Sequence, residues 1–138
     1  MAEPLVRLAH PADADGVLAL WTNARSPHAV TPDSRDALDG LVADGSLLVA
    51  EAGHEIVGAL IAAWDGWRGN MYRLAVHPNR RREKIALALI RSGEQRLQDR
   101  GCVRVTALVP HEDEAPRALW KAAGYGHDRQ IQRFVKNL

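Results

Sequence analysis

Apolar and polar residues change their spacing several times along the chain, and each spacing indicates a different kind of element. Alternating positions and short apolar runs predict strands, whereas apolar residues three and four apart predict helices. The predicted strands span residues 4–9, 46–52, 55–66, 71–76, 102–109 and 131–138. The predicted helices span residues 10–24, 82–100 and 113–124, and the stretch 26–45 holds two proline turns and a further helical pattern with Leu38, Leu41 and Val42 on one face. This order, β-α-α-β-β-β-α-β-α-β, predicts a mixed α/β fold in which residues 71–109 form a βαβ unit.

The helix predicted over residues 82–100 carries the clearest amphipathic pattern. Its apolar stripe consists of Ala86, Ile90, Gly93 and Leu97, which lie on one face at helical spacing. Gly101 follows where a helix commonly ends. The neighbouring strands predicted at 46–52 and 55–66 are separated by a Gly-His pair, which indicates a β-hairpin.

Composition limits the classes of protein to consider. The chain has 138 residues, 46% apolar and 25% charged, and we expect one domain over residues 1–138. The net charge of +1 argues against a surface devoted to nucleic acid. Cys102 is the single cysteine, which favours a cytoplasmic setting. We expect no membrane association, because no apolar run reaches the roughly 18 residues of a spanning helix and no signal-peptide pattern begins the chain.

The segment "HPNRRREK", residues 77–84, lies between the strand and the helix of the βαβ unit. A helix N-terminus presents unpaired amides and a positive dipole end, and both favour an anion. Arginines there add charge-assisted hydrogen bonds to phosphate, and ligands tend to bind at the carboxyl ends of parallel strands. These arguments predict a phosphate site at residues 81–87. There are two alternatives. The arginines are simply solvated at a helix start, or residues 80–82 bind nucleic acid.

Three segments in order resemble the GCN5-related N-acetyltransferase (GNAT) superfamily. They are "YRLAVHPNRRREKIALALI", "RLQDRGCVRVTALV" and "APRALWKAAGY", and the likeness is best from about residue 55 to residue 125. In that family a strand ending L-A-V-x-P leads into a loop of pattern Q/R-x-x-G-x-G/A and a long helix. The resemblance implies one domain whose mixed central sheet of about six to seven strands is flanked by about four helices.

The resemblance also implies a reaction, the transfer of an acetyl group from acetyl-CoA to a primary amine. It implies that pantetheine bonds to the backbone of Leu74, Ala75 and Val76. The pyrophosphate would bind the amides of the following loop and helix start, with Arg81 at the motif's leading Q/R position. The remaining residues implied in cofactor binding are Arg82, Glu83, Lys84, Ile85, Ala86, Leu87 and Asp113. With no nucleic acid or membrane expected as partner, we expect a small-molecule or peptide amine as acceptor and a possible homodimer.

The chain departs from the family pattern at several functional positions. Lys84 stands where the motif has its first glycine, although Ala86 keeps the second small residue. Trp120 replaces the tyrosine that commonly acts as general acid, and Asp113 replaces an asparagine seven residues earlier. Leu108 stands where some members have a glutamate base. These departures motivate a second hypothesis, a catalytically weak relative that binds acyl-CoA as a sensor or regulatory module.

Two residues are candidates for the missing acid and base. Tyr72 is two residues before Leu74 in the predicted strand, and period two would put it on the same face as Leu74 and Val76. His111 follows the strand 102–109, and its ordinary pKa suits proton transfer near neutrality. The alternatives are a half-buried strand aromatic and a solvated loop histidine.

Other polar and aromatic residues are assigned more ordinary roles. We expect Asp65 to form a turn and Tyr125 and Trp21 to be core residues. Trp64 and Trp67 flank the turn 64–70, where they would line either an acceptor pocket or a dimer contact. The acceptor itself is not identified by the sequence. Its binding segments are expected near residues 22–45 and 62–70.

Overall fold

The computed structural model describes residues 3–24, 32–81, 84–109 and 114–138. Its strands are β1 (Leu5–Leu8), β2 (Leu47–Ala52), β3 (Glu55–Trp64), β4 (Gly69–Val76) and β5 (Val105–Ala107). Its helices are α1 (Ala14–Asn23), α2 (Arg35–Asp44), α3 (Ile85–Asp99) and α4 (Glu114–Ala122). Short 3-10 turns cover Pro11–Asp13 and Pro78–Arg80. None of the helices within these ranges is long and apolar enough to cross a membrane.

The strands form one mixed sheet in the order β1-β2-β3-β4-β5. Neighbouring strands are antiparallel up to β4, and β4 and β5 are parallel. The predicted hairpin is the β2–β3 pair, whose turn contains Gly53 at φ 64°. The predicted βαβ unit is β4-α3-β5, because a parallel pair requires a crossover connection. The mixed α/β prediction is therefore confirmed.

The predicted number of strands was too high. The described residues form five strands rather than six to seven, and the strand predicted over residues 131–138 is not formed. Ile131 and Phe134 within it are 73% and 88% exposed. The physical reason is that a strand needs hydrogen bonds from a neighbouring strand, and this segment pairs with none of the strands described.

Each face of the sheet is covered by its own hydrophobic core. The core on the α3 and α4 side contains Leu60, Met71, Leu89, Ile90, Leu97 and Trp120. The core on the α1 and α2 side contains Val17, Leu20, Trp21, Leu38, Val49 and Ile61. The structure thus confirms Trp21, 3% exposed, as a core residue. The cores hold α1 and α2 on one side of the sheet and α3 on the other.

The long helix packs close to the sheet but begins later than predicted. A Cβ at Gly93 would lie 3.3 Å from the Cβ of Ala62, so the lack of a side chain allows this approach. The helix begins at Ile85 rather than at residue 82, because Lys84 has a left-handed backbone with φ 62° and ψ 18°. The buried residues of α3 are Ile85, Leu89, Ile90, Gly93 and Leu97. Ala86, which was expected in the stripe, is only half-buried.

Candidate active site

The candidate site begins where β4 and β5 separate. The two strands pair through Gly69, Asn70 and Met71 of β4, and the Leu108 amide donates to the Met71 carbonyl over 3.1 Å. No pairing with β5 extends beyond this point within the described residues. One edge of β4 from Tyr72 to Val76 is therefore left without a strand partner. A ligand with amide groups fits such an edge, because backbone donors and acceptors require partners.

A bulge in β4 changes which way its side chains point. Arg73 has φ 55°, and the register with β3 shifts between Ala59 and Ile61. A bulge adds one residue to a strand and so interrupts the alternation of faces. Leu74 and Val76 consequently pack on the α3 side, whereas Tyr72 packs on the α1 and α2 side. The expectation that Tyr72 shares a face with Leu74 and Val76 was wrong.

The described part of the connection from β4 to α3, residues 77–81, is held by hydrogen bonds between its own residues. His77 Nδ1 accepts a hydrogen bond from the Asn79 amide over 3.1 Å, and the Arg80 amide donates to the His77 carbonyl. Arg81 is exposed, and its Nε lies 3.4 Å from the Val76 carbonyl oxygen. The 3-10 turn at Pro78–Arg80 thus brings the chain from the end of β4 towards the N-terminus of α3.

Among the described residues, no side chain caps the N-terminus of α3. Lys84 occupies the N-cap position with an exposed side chain, and it makes no capping hydrogen bond. Among the described residues, the first hydrogen bond of the helix runs from the Ala88 amide to the Lys84 carbonyl, over 3.1 Å. The amides of Ile85, Ala86 and Leu87 precede that bond, so they are the orphan donors of a helix start. Such donors and the helix dipole favour an anion.

The left-handed backbone of Lys84 explains why the family motif has glycine at this position. A residue with a Cβ adopts this conformation at a cost of about 1–2 kcal/mol, whereas glycine adopts it freely. Lys84 adopts this backbone conformation, and its side chain is exposed. It therefore places a cation at the helix N-terminus.

A polar cluster lies on the opposite face of β4, towards α1 and α2. The guanidinium of Arg73 donates to Asp33 Oδ2 over 2.6 Å, and its Cζ lies 4.7 Å from the centre of the Trp21 ring. Trp21 Nε1 is buried and has no hydrogen-bond partner in the described structure. Tyr72 packs against the same core, and burial raises the pKa of its hydroxyl.

Sequence reasoning missed the pairing of Arg73 with Asp33. The two residues are 40 positions apart, and Asp33 lies outside the three segments that resemble the family. Only the bulge reveals that the Arg73 side chain lies on the α1 and α2 side. This ion pair joins β4 to Asp33, which lies just before α2 and within the segment 22–45 where acceptor binding was expected.

The positions at which the chain departs from the family differ in their surroundings. Leu108, just after β5, is 44% exposed, and Trp120 is 5% exposed within a core. Trp120 packs edge to face against Tyr125, with ring centres 4.9 Å apart. The Tyr125 hydroxyl donates to Glu94 Oε2 over 2.7 Å, and burial with this bond raises its pKa. Tyr125 is thus a structural residue packed against the core, as expected.

The turn between β3 and β4 is held by Asp65. Its Oδ1 accepts hydrogen bonds from the amides of Arg68 and Trp67 over 2.6 and 2.8 Å. Because of these two bonds, Asp65 forms the turn, as expected. The same bonds lower the pKa of its carboxyl. Trp64 packs against a core, whereas Trp67 is 76% exposed beneath the Arg68 guanidinium.

Four of the predicted site residues lie outside the described residues. They are His111, Arg82, Glu83 and Asp113. The predicted residues that the structure does describe fall into two groups on either side of the bulge. Leu74, Ala75, Val76, Arg81, Lys84 and the start of α3 follow the bulge along the chain, whereas Tyr72 precedes it and packs on the α1 and α2 side. No cluster of three potential metal ligands occurs in the described ranges.

The chain is similar in sequence to one protein family and in fold to solved structures. A sequence profile of the Acetyltransferase (GNAT) family matches residues 16–125. The fold is similar to that of a transcriptional regulator from Bacillus halodurans C-125, with a TM-score of 0.80, 17% identity, and coverage of 98% of this chain and 99% of that one. The fold is also similar to that of an aminoglycoside acetyltransferase from an uncultured soil metagenomic sample, in complex with sisomicin. The TM-score is 0.78 and the identity 18%, with coverage of 98% of this chain and 96% of that one. A third similar structure is AAC(6')-Iy in complex with the bisubstrate analogue CoA-S-monomethyl-acetylneamine. Its TM-score is 0.79 and its identity 16%, with coverage of 99% of this chain and 100% of that one.

Proposed function

The chain belongs to the Acetyltransferase (GNAT) family, and on this premise we propose that it is an N-acetyltransferase that acts on acetyl-CoA and a primary amine. The observation that carries the proposal is the free edge of β4 leading to the uncapped N-terminus of α3. Solved structures of similar fold hold a coenzyme A analogue or an aminoglycoside, which supports both ligand classes.

The described residues fit the chemistry of coenzyme A. The unpaired edge of β4 at Leu74, Ala75 and Val76 offers backbone partners to the amides of pantetheine. The amides of Ile85, Ala86 and Leu87, with the cations Arg81 and Lys84, offer an anion site to the pyrophosphate. Arg82, Glu83 and Asp113 complete the proposed set. Bound acetyl-CoA would supply the acetyl group as an activated thioester.

The face of β4 towards α1 and α2 is the proposed side of amine approach. The amine must be neutral to attack the thioester carbonyl; the new C–N bond then replaces the C–S bond, and the thiolate leaves. Because burial raises the pKa of the Tyr72 hydroxyl, this group stays protonated near neutral pH. Tyr72 is therefore suited to donate a hydrogen bond or a proton, and not to act as a base. His111 is the proposed base.

The phosphate site is tested by placing a carboxylate among the proposed donors. Ala86→Asp adds a negative charge at the second position of α3, where an acidic residue favours the helix itself by about 0.3–1 kcal/mol. We expect the dissociation constant of acetyl-CoA, measured by calorimetry, to rise about tenfold or more, which is about 1.4 kcal/mol. The matched control Gln95→Glu adds the same charge at an exposed position further along α3, and it should leave affinity unchanged. Equal affinity in both variants contradicts the site.

Turnover is tested by thiol release from acetyl-CoA across a panel of amines. The panel includes aminoglycosides, polyamines, amino acids and peptides with a free N-terminus. Release of coenzyme A that depends on an amine supports the enzyme. Tyr72→Phe should then lower kcat, because it removes the proposed donor while keeping the packing of the ring.

A regulatory module that binds acyl-CoA without turnover is the second candidate. The observations that favour it are the buried Trp120 and the apolar Leu108 at positions where the family commonly has an acid or a base. Binding of acetyl-CoA with no thiol release for any amine of the panel would support this candidate over the enzyme.

A further inference from the structure

Two consecutive side chains of β4 lie on the same face of the sheet, because the bulge interrupts the alternation of faces. Tyr72 packs against the core on the α1 and α2 side. The guanidinium of Arg73, the next residue, contacts Asp33 and the Trp21 ring on that same side. A regular strand would direct one of these two side chains to the opposite face. The bulge therefore directs both a phenol and a guanidinium to the side from which the amine is proposed to approach.

The guanidinium of Arg73 has unused hydrogen-bond donors. Its Nη2 donates to both carboxylate oxygens of Asp33. The three N–H groups on its Nη1 and Nε donate to no group among the described residues. The side chain is only 20% exposed, which limits its contact with water. A largely buried guanidinium with unused donors needs a further acceptor.

Trp21 adds a second donor without a partner. The residue is 3% exposed, and its Nε1 is buried with no hydrogen-bond partner in the described structure. A buried indole N–H usually has an acceptor. The Trp21 ring also contacts the guanidinium, since the Cζ of Arg73 lies 4.7 Å from the ring centre. Two side chains in contact with one another therefore each hold donors that no described residue accepts.

The charges of this cluster indicate which ligand it favours. Arg73 and Asp33 neutralise each other, so the pair has no net negative charge with which to attract a polycationic amine. The unused groups are donors, and a carboxylate accepts strong hydrogen bonds from a guanidinium. An amine that also carries a carboxylate is a zwitterion, so it has no net charge and still offers an acceptor to those donors.

We propose that the acceptor is an α-amino acid whose carboxylate binds the guanidinium of Arg73 beside Asp33. This inference rests on the proposed function and names its substrate class. The amine and the carboxylate of an α-amino acid are bonded to the same carbon. A carboxylate held at Arg73 therefore keeps the amine close to the part of β4 assigned to pantetheine, which begins at the next residue, Leu74.

Matched pairs of acceptors test the role of the carboxylate. Each common amino acid is compared with its own amide, which keeps the amine and the side chain and removes only the carboxylate. In thiol release from acetyl-CoA, the preferred amino acid should have a kcat/KM about tenfold or more above that of its amide, because charged hydrogen bonds are lost. Intrinsic reactivity favours the amide, since a carboxylate stabilises the ammonium form that cannot attack. An amide used as well as its amino acid, or turnover of polyamines and aminoglycosides alone, overturns the proposal.

A double variant tests the assigned residues. Arg73→Gln with Asp33→Asn removes both charges together, so neither is left unpaired in a partly buried place. The preference for the amino acid over its amide should disappear. Because this preference is a ratio measured on one sample, it does not depend on the folded fraction of the variant. The matched control, Arg7→Gln with Asp13→Asn, removes an ion pair of similar exposure elsewhere in the fold, and it should keep the preference. A preference that survives in the double variant at position 73 contradicts the site.

Binding without turnover separates this inference from the proposed function. Calorimetry on the protein saturated with coenzyme A measures the affinity for amino acids and amides when no acetyl group is present. If no amine releases thiol but an amino acid binds about tenfold more tightly than its amide, the proposed transfer fails and the carboxylate site stands. If thiol release occurs equally with amino acids and amides, the enzyme stands and the carboxylate site is excluded. Absence of both binding and release for every amino acid also excludes the site.

Discussion

Two residues within the described chain combine a side chain with a left-handed backbone, and both lie at the candidate site. Arg73 has φ 55° at the bulge of β4, and Lys84 has φ 62° at the start of α3. Such conformations cost of order 1–3 kcal/mol and cluster at functional sites. At Arg73 the strained backbone lies at the bulge, where the side chains of β4 change the face of the sheet to which they point. At Lys84 it lies directly before the amides of Ile85, Ala86 and Leu87 at the start of α3.

Lys84→Gly should stabilise the protein by about 0.5–1 kcal/mol. Glycine relieves the left-handed strain of about 1–2 kcal/mol, and part of that gain is lost because glycine has more freedom in the unfolded chain. Urea unfolding measures the change, and Lys84→Ala is the control, since alanine retains the strain and removes only the long side chain. Equal stability of both variants would contradict the assigned backbone conformation.

The elements differ in what determines their ends. Strand β4 is recognisable in the sequence from its mostly apolar residues, but the sequence does not show its bulge, because an extra residue is visible only against a partner strand. Helix α2 begins at a recognisable signal, since Ser34 Oγ accepts a hydrogen bond from the Ala37 amide over 3.1 Å. Gly45 ends it with φ 73°.

Ser34→Ala should lower the free energy of unfolding by about 1 kcal/mol, because it leaves the Ala37 amide without its cap. Ser34→Asn is the matched variant, since an asparagine side chain also accepts this bond, and it should remain within a few tenths of a kcal/mol of wild type. Chemical denaturation of the three proteins checks the order. An alanine variant as stable as the asparagine variant would show that the cap contributes nothing.

At the scale of the whole molecule, an ion-pair cluster joins three parts of the fold. Arg7 of β1 donates to both carboxylate oxygens of Asp13, over 2.7 and 3.0 Å, and its Nη2 lies 3.5 Å from Glu51 of β2. The bond from Arg7 holds the pKa of the Asp13 carboxyl below its usual range, and the bond from the His10 amide acts in the same direction. This cluster links the 3-10 turn at Pro11–Asp13 to strands β1 and β2.

Asp13→Asn should destabilise the protein at pH 7 by about 1 kcal/mol or less, since the pair is partly exposed. Because the pKa of Asp13 is lowered on folding, its contribution is present above the unfolded value of about 3.9 and is lost as pH falls through the folded pKa. The difference between wild type and variant should therefore shrink below about pH 4. Unfolding free energies measured from pH 3 to 7 check this, with Glu3→Gln as an exposed-carboxyl control. A difference that is constant across this range would exclude the ion pair as its source.

Much of the fold followed from local chemistry. Apolar periodicity predicted every described helix and strand, and the βαβ unit with its basic loop indicated an anion site at the start of α3. The helix and strand predictions succeed because burial of an apolar face depends on the spacing of neighbouring residues. The anion site stays a prediction that rests on the geometry of a helix end. The departures at Lys84, Leu108 and Trp120 were also visible in the sequence alone.

Tertiary structure decided what depends on contacts between distant residues. The bulge at Arg73 moved Tyr72 to the other face of the sheet, and the Arg73–Asp33 pair joined residues 40 positions apart. The run at 131–138 has strand-like composition, yet it forms no strand because no partner pairs with it in the described chain. The sequence determined which residues prefer helix, strand or loop. Register, the facing of side chains and the pairing of edges came only from the assembled sheet, since each is a relation between segments far apart along the chain.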